Sequence, residues 1–265
     1  MPSVSCSDIR LALPQEWTQI DKLVRHGFGD DEPFLRAYFD HIWQKYPTLV
    51  SLSGNQPVAM TILLPCRVMP QNEEATYLYA LTTHPNHRSQ GHAKALLQAA
   101  HQLHKRLFLH AASPSLHEFY ARLGWRDCMW MQKKLRPANE GNAPQEVPVE
   151  QATEIRTQLL HDTPRLDWPP ELQNFFGEQV GKSSACYSDG SCLVTVMDAR
   201  QGTLYISELL GTNAEKKAQA LAHALGCSQL EYLSPCSSEL PGAYPHFQYF
   251  GAAFPEQISW QYDFN

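Results

Sequence analysis

The feature that most constrains the fold is a strand, a turn and a helix in direct succession between residues 75 and 97, "ATYLYALTT", "HPNHRSQ" and "GHAKALL". Aromatic and β-branched residues predict the strand, and Pro85 marks the turn. Gly91 and Ala93 then open the helix with almost no side chain. A helix start carries unpaired N–H groups and the positive end of the helix dipole, so this turn is suited to bind a phosphate group.

Two common phosphate-binding motifs do not fit this turn. A P-loop requires Gly-Lys followed by Ser or Thr, and a dinucleotide-binding fingerprint requires three glycines. The pattern is instead Arg-x-x-Gly-x-Ala, in which the small residues would let a diphosphate approach the backbone. By itself, the pattern also describes an ordinary helix start that is built from small residues.

Composition predicts a globular protein. The 265 residues, 43% of them hydrophobic and 18% charged, suffice for one large domain or two of ordinary size. A formal charge of −6 without a long basic run argues against a nucleic-acid partner. No apolar run approaches the roughly 20 residues that span a bilayer, and we find no signal peptide, so no membrane partner is expected. Seven scattered cysteines without a CxxC pair indicate reduced thiols and predict a cytoplasmic protein.

The chain is predicted to form two α/β domains, at residues 1–136 and 148–265, joined by a linker at 137–147 that is rich in Pro, Asn and Gly. A weak repeat supports a duplicated fold. "YLYALTT", "LFLHAASP" and "FYARLGW" in the first half are echoed by "TLYISELL", "LEYLSP" and "QYFGAAF" in the second. The second copy opens its helix near Glu215 instead of at a glycine, and a glutamate in the first turn would repel a diphosphate.

A second motif follows the turn in the first half, with Ser113, Leu116, Tyr120 and the pair Gly124-Trp125. The two motifs together resemble the GNAT superfamily of acyl-CoA N-acyltransferases. In that family the turn reads [QR]-x-x-G-x-[GA], and the later segment commonly reads N-x-x-A-x-x-x-Y-x-x-x-G-[FW]. Ser113 and Leu116 replace the usual Asn and Ala, whereas the other three residues match.

The resemblance covers about residues 8–136, and more faintly the second half. It implies an α/β fold of the GNAT type, with a mixed central sheet flanked by helices, in two tandem domains of which the second is degenerate. It also implies acetyl-CoA as cosubstrate. The pantetheine arm would lie as an extra strand between two splayed strands. The residues that would bind acetyl-CoA are Leu81, Thr82, Thr83, Arg88, Ser89, Gln90, Gly91, His92, Ala93 and Ser113.

Tyr120 is the candidate general acid, since a phenol near the sulfur can protonate the departing thiolate. The alternative is a tyrosine that only fills the core. Tyr77 aligns with the position at which some family members have a glutamate base, and we count it among the substrate-binding residues. With an ordinary pKa of about 10, a tyrosine is a poor base at neutral pH. Glu73 and Glu74 could act through water or could be surface residues, so no base is assigned.

The family places the acceptor amine near the loop between the first two helices. There Asp30, Asp31, Glu32 and Phe34 combine acidic and aromatic groups, which suit a cationic amine with an apolar part. The same acids would equally suit a solvated helix start.

Histidines crowd the first half. His84 and His87 have a spacing seen in metal sites, but no Cys or carboxylate stands at a suitable distance, so we predict no metal. Instead of a metal site, we expect the histidines of this region to be exposed and to lie near the phosphates of the ligand. They are His84, His87, His92, His101, His104, His110 and His117.

Two functions remain open from the sequence. The leading hypothesis is an N-acetyltransferase that transfers the acetyl group of acetyl-CoA to a primary amine by direct attack in a ternary complex. The amine would belong to a small molecule or a peptide, and a homodimer is possible. The alternative is a non-catalytic acyl-CoA-binding or interaction protein with the same fold. Ser113, Tyr77 and the degenerate second half keep that alternative open.

Overall fold

The computed structural model describes residues 8–29, 32–169, 171–172 and 185–254, with the backbone alone for residues 32–34, 36 and 37. The first half contains β1 (Ile9–Leu11), α1 (Trp17–Phe28), α2 (Glu32–His41), β2 (Thr48–Ser53), β3 (Gln56–Met69), β4 (Glu73–Thr83), α3 (His92–Leu103), β5 (Arg106–Leu109), α4 (Pro114–Arg122) and β6 (Arg126–Pro137). The second half contains β7 (Gln145–Val147), α5 (Val149–Leu159), β8 (Arg165–Asp167), β9 (Ala185–Ser188), β10 (Cys192–Arg200), β11 (Thr203–Gly211), α6 (Ala214–Ala224), β12 (Gln229–Pro235) and β13 (Tyr244–Gly251).

One mixed sheet runs through both halves in the order β1-β2-β3-β4-β5-β13-β6-β12-β11-β10-β9-β7, and β8 pairs with β3. β4 is parallel to β5, and β11 is parallel to β12, each pair being joined by a helix. The predicted α/β fold with a mixed central sheet and flanking helices is confirmed. In the part of the chain that the structure describes, no helix is long and apolar enough to cross a bilayer.

The two halves exchange their last strands. β13, from the end of the described chain, lies between β5 and β6, with Gln248 opposite Leu109 and Phe247 opposite Cys128. The long strand β6 pairs through its beginning with β13 and through its end with β12, where Leu230 lies opposite Arg136. β13 of the second half therefore lies beside the parallel pair of the first half, and β6 of the first half lies beside the parallel pair of the second. The two ends of the predicted linker belong to strands, Pro137 to β6 and Gln145–Val147 to β7, and its boundaries stay a prediction.

This exchange corrects one element of the predicted repeat. The segment "QYFGAAF" does not correspond to "FYARLGW", because residues 119–122 end the helix α4 whereas residues 248–251 belong to a strand. The two faces of this strand are both packed, since Phe247 lies in one hydrophobic cluster and Phe250, three residues on, packs against another. Gly251 ends β13 with φ of +88°, and a Cβ there would lie 2.1 Å from the carbonyl oxygen of Lys105. Only glycine allows this close approach to β5.

Hydrophobic clusters cover both faces of the first half's sheet. The cluster beneath α1 and α2 includes Tyr38, Phe108 and Phe247, and the cluster beneath α3 and α4 includes Leu96 and Tyr120. Residues of the second half take part in the first of these clusters. They are Leu166, Trp168, Leu172, Phe247 and Phe254.

Candidate functional site

The centre of the first half is a gap between two parallel strands. β4 and β5 pair only where Thr76 lies opposite Leu107 and Tyr77 opposite Phe108. β4 then continues to Thr83, paired with β3 on its other side. Among the described residues, no strand pairs with residues 78–83 on the side of β5. The splay leaves a strand edge along which an extended ligand backbone could form hydrogen bonds.

A bulge in β4 shapes the edge of this gap. The register with β3 shifts between Met60 and Ile62, and Ala80 has a φ of +55°. Further along, the Thr82 side chain is buried against α1, since a Cβ on Gly27 would lie 3.0 Å from its Oγ1. Only the backbone of Thr82 can therefore serve a ligand in the gap.

The predicted phosphate turn lies at the open end of this gap. Arg88 Nε donates a hydrogen bond to the Thr83 carbonyl (3.3 Å), and Gln90 Nε2 donates to the Asn86 carbonyl (3.1 Å), so these side chains hold the turn in shape. Ser89 has a φ of +61°. Gly91 is the N-cap of α3 with φ of +97°, and a Cβ there would have no atom within 4 Å. The turn therefore opens into space.

By helix geometry, the N–H groups at the start of α3 have no acceptor inside the helix, because the first backbone bond runs from Ala95 N to the Gly91 carbonyl. Ala93 adds only a methyl group beside them. The positive dipole end and the small residues fit a diphosphate, as the sequence predicts. The role of residues 88–93 in binding stays a prediction.

The His92 side chain points away from the turn. Its ring is buried, and Nδ1 lies 2.8 Å from the Oγ of Ser51, a fully buried residue of β2. Burial lowers the pKa of His92, and the nearby His87 lowers it further. The expectation that the histidines of this region are exposed is wrong for His92, which anchors the helix start to the sheet. Its backbone N–H remains part of the turn.

The other histidines near the turn form a row of ring contacts. His26 of α1 lies 4.9 Å from His84, His84 lies 5.8 Å from His87, and His87 lies 6.0 Å from His92, measured between ring centroids. Burial, together with the neighbouring His26, His87 and Arg88, lowers the pKa of His84. Within the described ranges, no three His, Cys, Asp or Glu side chains are grouped to hold a metal ion.

Tyr120 lies on α4, in the cluster beneath β5, and is 5% exposed. Its ring centroid is 6.0 Å from that of Trp125. Burial raises the pKa of Tyr120 to about 12. A phenol is protonated at neutral pH and can donate a proton, while the burial of Tyr120 also fits the alternative of a core residue. Ser113 is the N-cap of α4, its Oγ accepting from the Leu116 N–H (3.3 Å).

Tyr77 lies in an aromatic cluster formed by both halves. It is 4% exposed, and its ring centroid is 5.0 Å from Phe108, 6.0 Å from Trp168 and 6.0 Å from Phe247. The position at which some relatives carry a base is thus part of an apolar wall, and its predicted contact with substrate stays a prediction. Glu73 forms an ion pair with Arg106 (2.6 Å), which gives that acid a structural partner.

The predicted acceptor residues fall largely outside the described structure. Asp30 and Asp31 lie outside the described residues. Glu32 and Phe34 belong to α2, and only their backbone is described.

The second half contains a counterpart of the gap and the turn. β11 and β12 pair over four positions, ending where Ile206 lies opposite Tyr232, and β11 then continues to Gly211. The helix α6 begins after Asn213, a left-handed N-cap like Gly91. Glu215 therefore occupies the position that corresponds to Ala93.

The Glu215 carboxylate has partners within the protein. It accepts hydrogen bonds from the Tyr232 hydroxyl and from Arg136 Nε (3.1 Å). These bonds hold the pKa of Glu215 below its usual range, and the bond with Tyr232 has the largest effect. The second half thus supplies its own anion at the helix start. Sequence reasoning anticipated the glutamate but missed Arg136, which reaches it from β6 through the strand exchange.

Sequence reasoning also missed a histidine pair at the splay. His110 directly follows β5, and its ring stacks on His246 of β13 with centroids 4.9 Å apart and planes 25° apart. His246 is 3% exposed, and burial lowers its pKa to about 4. The aromatic residues of "YPHFQYFG" favour a strand, but they do not indicate the strands with which it pairs.

Comparisons with known proteins agree with this geometry. Residues 8–128 match the acetyltransferase (GNAT) domain family. A search of curated proteins finds no match. Among solved structures, a probable N-acyltransferase of unknown function from Enterococcus faecalis is 13% identical, with a TM-score of 0.70 over 91% of this chain and 71% of that chain. A GCN5-related N-acetyltransferase from Anabaena variabilis is 14% identical, with a TM-score of 0.69 over 91% and 72%.

A tandem GNAT protein from the clavulanic acid biosynthesis pathway is 11% identical, with a TM-score of 0.50 over 91% of this chain and 97% of that chain. At such identities the likeness concerns the fold alone. The predicted GNAT-type fold and the resemblance stated for the first half are confirmed.

Proposed function

From the match of residues 8–128 with the acetyltransferase (GNAT) domain family, we propose that the protein is an N-acetyltransferase. It transfers the acetyl group of acetyl-CoA to a primary amine of a small molecule or peptide, by direct attack in a ternary complex. The observation that carries this proposal is the gap between β4 and β5, which opens onto a helix start built from Gly91 and Ala93.

The residues present fit an acyl-CoA. Acetyl-CoA, when bound, supplies an acyl group activated as a thioester. The backbone of Leu81, Thr82 and Thr83 offers a strand edge for the amides of the pantetheine arm. The N–H groups at the start of α3 offer donors to the diphosphate, and the open space beside Gly91 admits it.

The chain then has two tasks in the transfer. The edge of β4 fixes the acyl group at the closed end of the gap, where β4 and β5 separate, because the turn holds the other end of the cosubstrate. Tyr120 approaches from the side of α4 and donates its proton to the departing thiolate.

Calorimetry followed by an activity screen tests the proposal. Acetyl-CoA should bind the wild-type protein, and at least one primary amine of a broad panel should release CoA thiol and yield an N-acetyl product. Gly91→Glu, which puts bulk and negative charge at the diphosphate, should abolish binding while unfolding remains cooperative. Binding without turnover across the panel would favour the non-catalytic acyl-CoA-binding alternative. Undiminished binding by the variant would refute the placement of the cosubstrate.

A further inference from the structure

The splay between β4 and β5 has a titratable side chain at its closed end. β4 and β5 last pair where Tyr77 lies opposite Phe108, and His110 lies two residues beyond Phe108 on β5's side of the gap. The phosphate turn lies at the other, open end, after Thr83. A cosubstrate held by the turn and by the edge of β4 would therefore bring its thioester toward His110.

The surroundings hold the His110 ring in one place. It stacks on His246 at 4.9 Å and lies 5.6 Å from the ring of Phe247, both on β13. His246 is buried and neutral at pH 7, so it adds no positive charge that would oppose a proton on its neighbour. His110 itself is only partly buried. A partly exposed imidazole on a rigid apolar support is suited to accept a proton from a substrate and return it to water.

Resting on the proposed function, we propose that His110 is the general base of the transfer, placed by a strand that the second half of the chain provides. The amine nitrogen forms a bond with the thioester carbonyl carbon, and the carbon–sulfur bond breaks. His110 takes a proton from the alkyl ammonium ion before the attack, Tyr120 gives a proton to the sulfur, and the nitrogen loses its second proton to solvent after the attack. Solvent then removes the proton from His110 and restores that of Tyr120, so charge and atoms balance.

Other titratable groups surround this position. Tyr77 and Tyr79 are on β4, and Tyr244 is on β13 beside His246, at 6.3 Å between rings. On α4 and β6, His117 Nε2 and Asp127 Oδ1 are 2.8 Å apart, and Asp127 also accepts from Gln248 Nε2 (3.2 Å). The Asp127 carboxylate is therefore already bound by the side chains of His117 and Gln248.

Histidine ring NMR tests the placement without requiring turnover. In protein labelled at histidine Cε1, the signal of His110, assigned through His110→Gln, should shift when acetyl-CoA is added. It should not shift with adenosine 3′,5′-bisphosphate, which has no pantetheine arm. The exposed His161 is the control and should not respond to either. Heat of binding without a shift at His110 would overturn the inference and leave the proposed function standing. Absence of acetyl-CoA binding would refute both the role of His110 and the proposed function.

Kinetics test the role. His110→Gln should leave the affinity for acetyl-CoA unchanged and should lower kcat/KM for a primary alkyl amine by about 100-fold. An aryl amine, which is already neutral at pH 7, should lose far less, because it needs no base before attack. The matched variant His161→Gln should resemble the wild type with both amines. An equal loss with both amines would show that His110 only supports the structure, and no loss with the alkyl amine would exclude it as the base.

Discussion

The two halves of the molecule share a parallel strand pair that separates just before a helix, yet they end that gap differently. In the first half α3 begins after its N-cap Gly91, where a Cβ would have no atom within 4 Å. In the second half α6 begins at Asn213, and the Glu215 carboxylate is held there by Arg136 and Tyr232. The comparison indicates that the first helix start leaves room for an external anion, whereas the second carries its own carboxylate at the second helical position.

The largest effect is expected from Ala93→Glu, which gives the first half the residue of the second. At about 4 Å and an effective dielectric constant near 20, two like charges repel by about 4 kcal/mol, or roughly a thousand-fold in Kd. Calorimetry with acetyl-CoA measures this loss. The reciprocal variant Glu215→Ala should bind with the affinity of the wild type. Equal affinity of Ala93→Glu and wild type would show that the diphosphate does not lie at this helix start.

Acid should lower the stability of the protein through His246 on the exchanged strand β13. The folded-state pKa of His246 is about 4, below its ordinary value of 6.5, so the folded protein favours the neutral ring. The stabilisation is complete above pH 6.5 and is lost as the pH falls toward 4, because there the unfolded chain binds more protons. Protonation of His246 can lower the free energy of unfolding by at most about 3 kcal/mol.

Urea unfolding between pH 7 and pH 4 measures this loss. His246→Leu should flatten the dependence on pH, whereas His161→Leu, at an exposed position, should keep it. The same slope in His246→Leu and wild type would show that another group causes the acid sensitivity.

Much of the first half can be predicted from local sequence, whereas its assembly with the second half cannot. The turn with Gly91 and Ala93 can be predicted because its chemistry depends on residues that are adjacent in the sequence. The position of β13 depends on which distant strand it pairs with, and alternation reports only that a strand exists. The burial of His92 likewise requires Ser51, which lies 41 residues away. The aromatic wall around Tyr77 needs Trp168 from the other half.

Tyr120→Phe should lower kcat about 100-fold and leave the Kd for acetyl-CoA nearly unchanged, because it removes the proton donor and keeps the packing. Tyr232→Phe is the matched change in the second half, where the hydroxyl binds Glu215, and it should leave kcat unchanged. Steady-state kinetics with a saturating amine measure both. Unaltered turnover by Tyr120→Phe would make Tyr120 a core residue.

The smallest effect concerns stability. Glu215→Ala should lower the free energy of unfolding by about 1 kcal/mol, since its bonds with Arg136 and Tyr232 are partly exposed to solvent. Lys216→Ala, at an exposed position on the same turn, should change it by less than about 0.5 kcal/mol. Equal denaturation midpoints for Glu215→Ala and wild type would mean that the internal anion contributes nothing to the fold.

The number and position of bound acetyl-CoA molecules test the central claim most directly. Calorimetry should give one molecule per chain, and a crystal structure of the complex should show it between β4 and β5 with its diphosphate at residues 88–93. Two molecules per chain, or a single one at the start of α6 beside Glu215, would contradict the account.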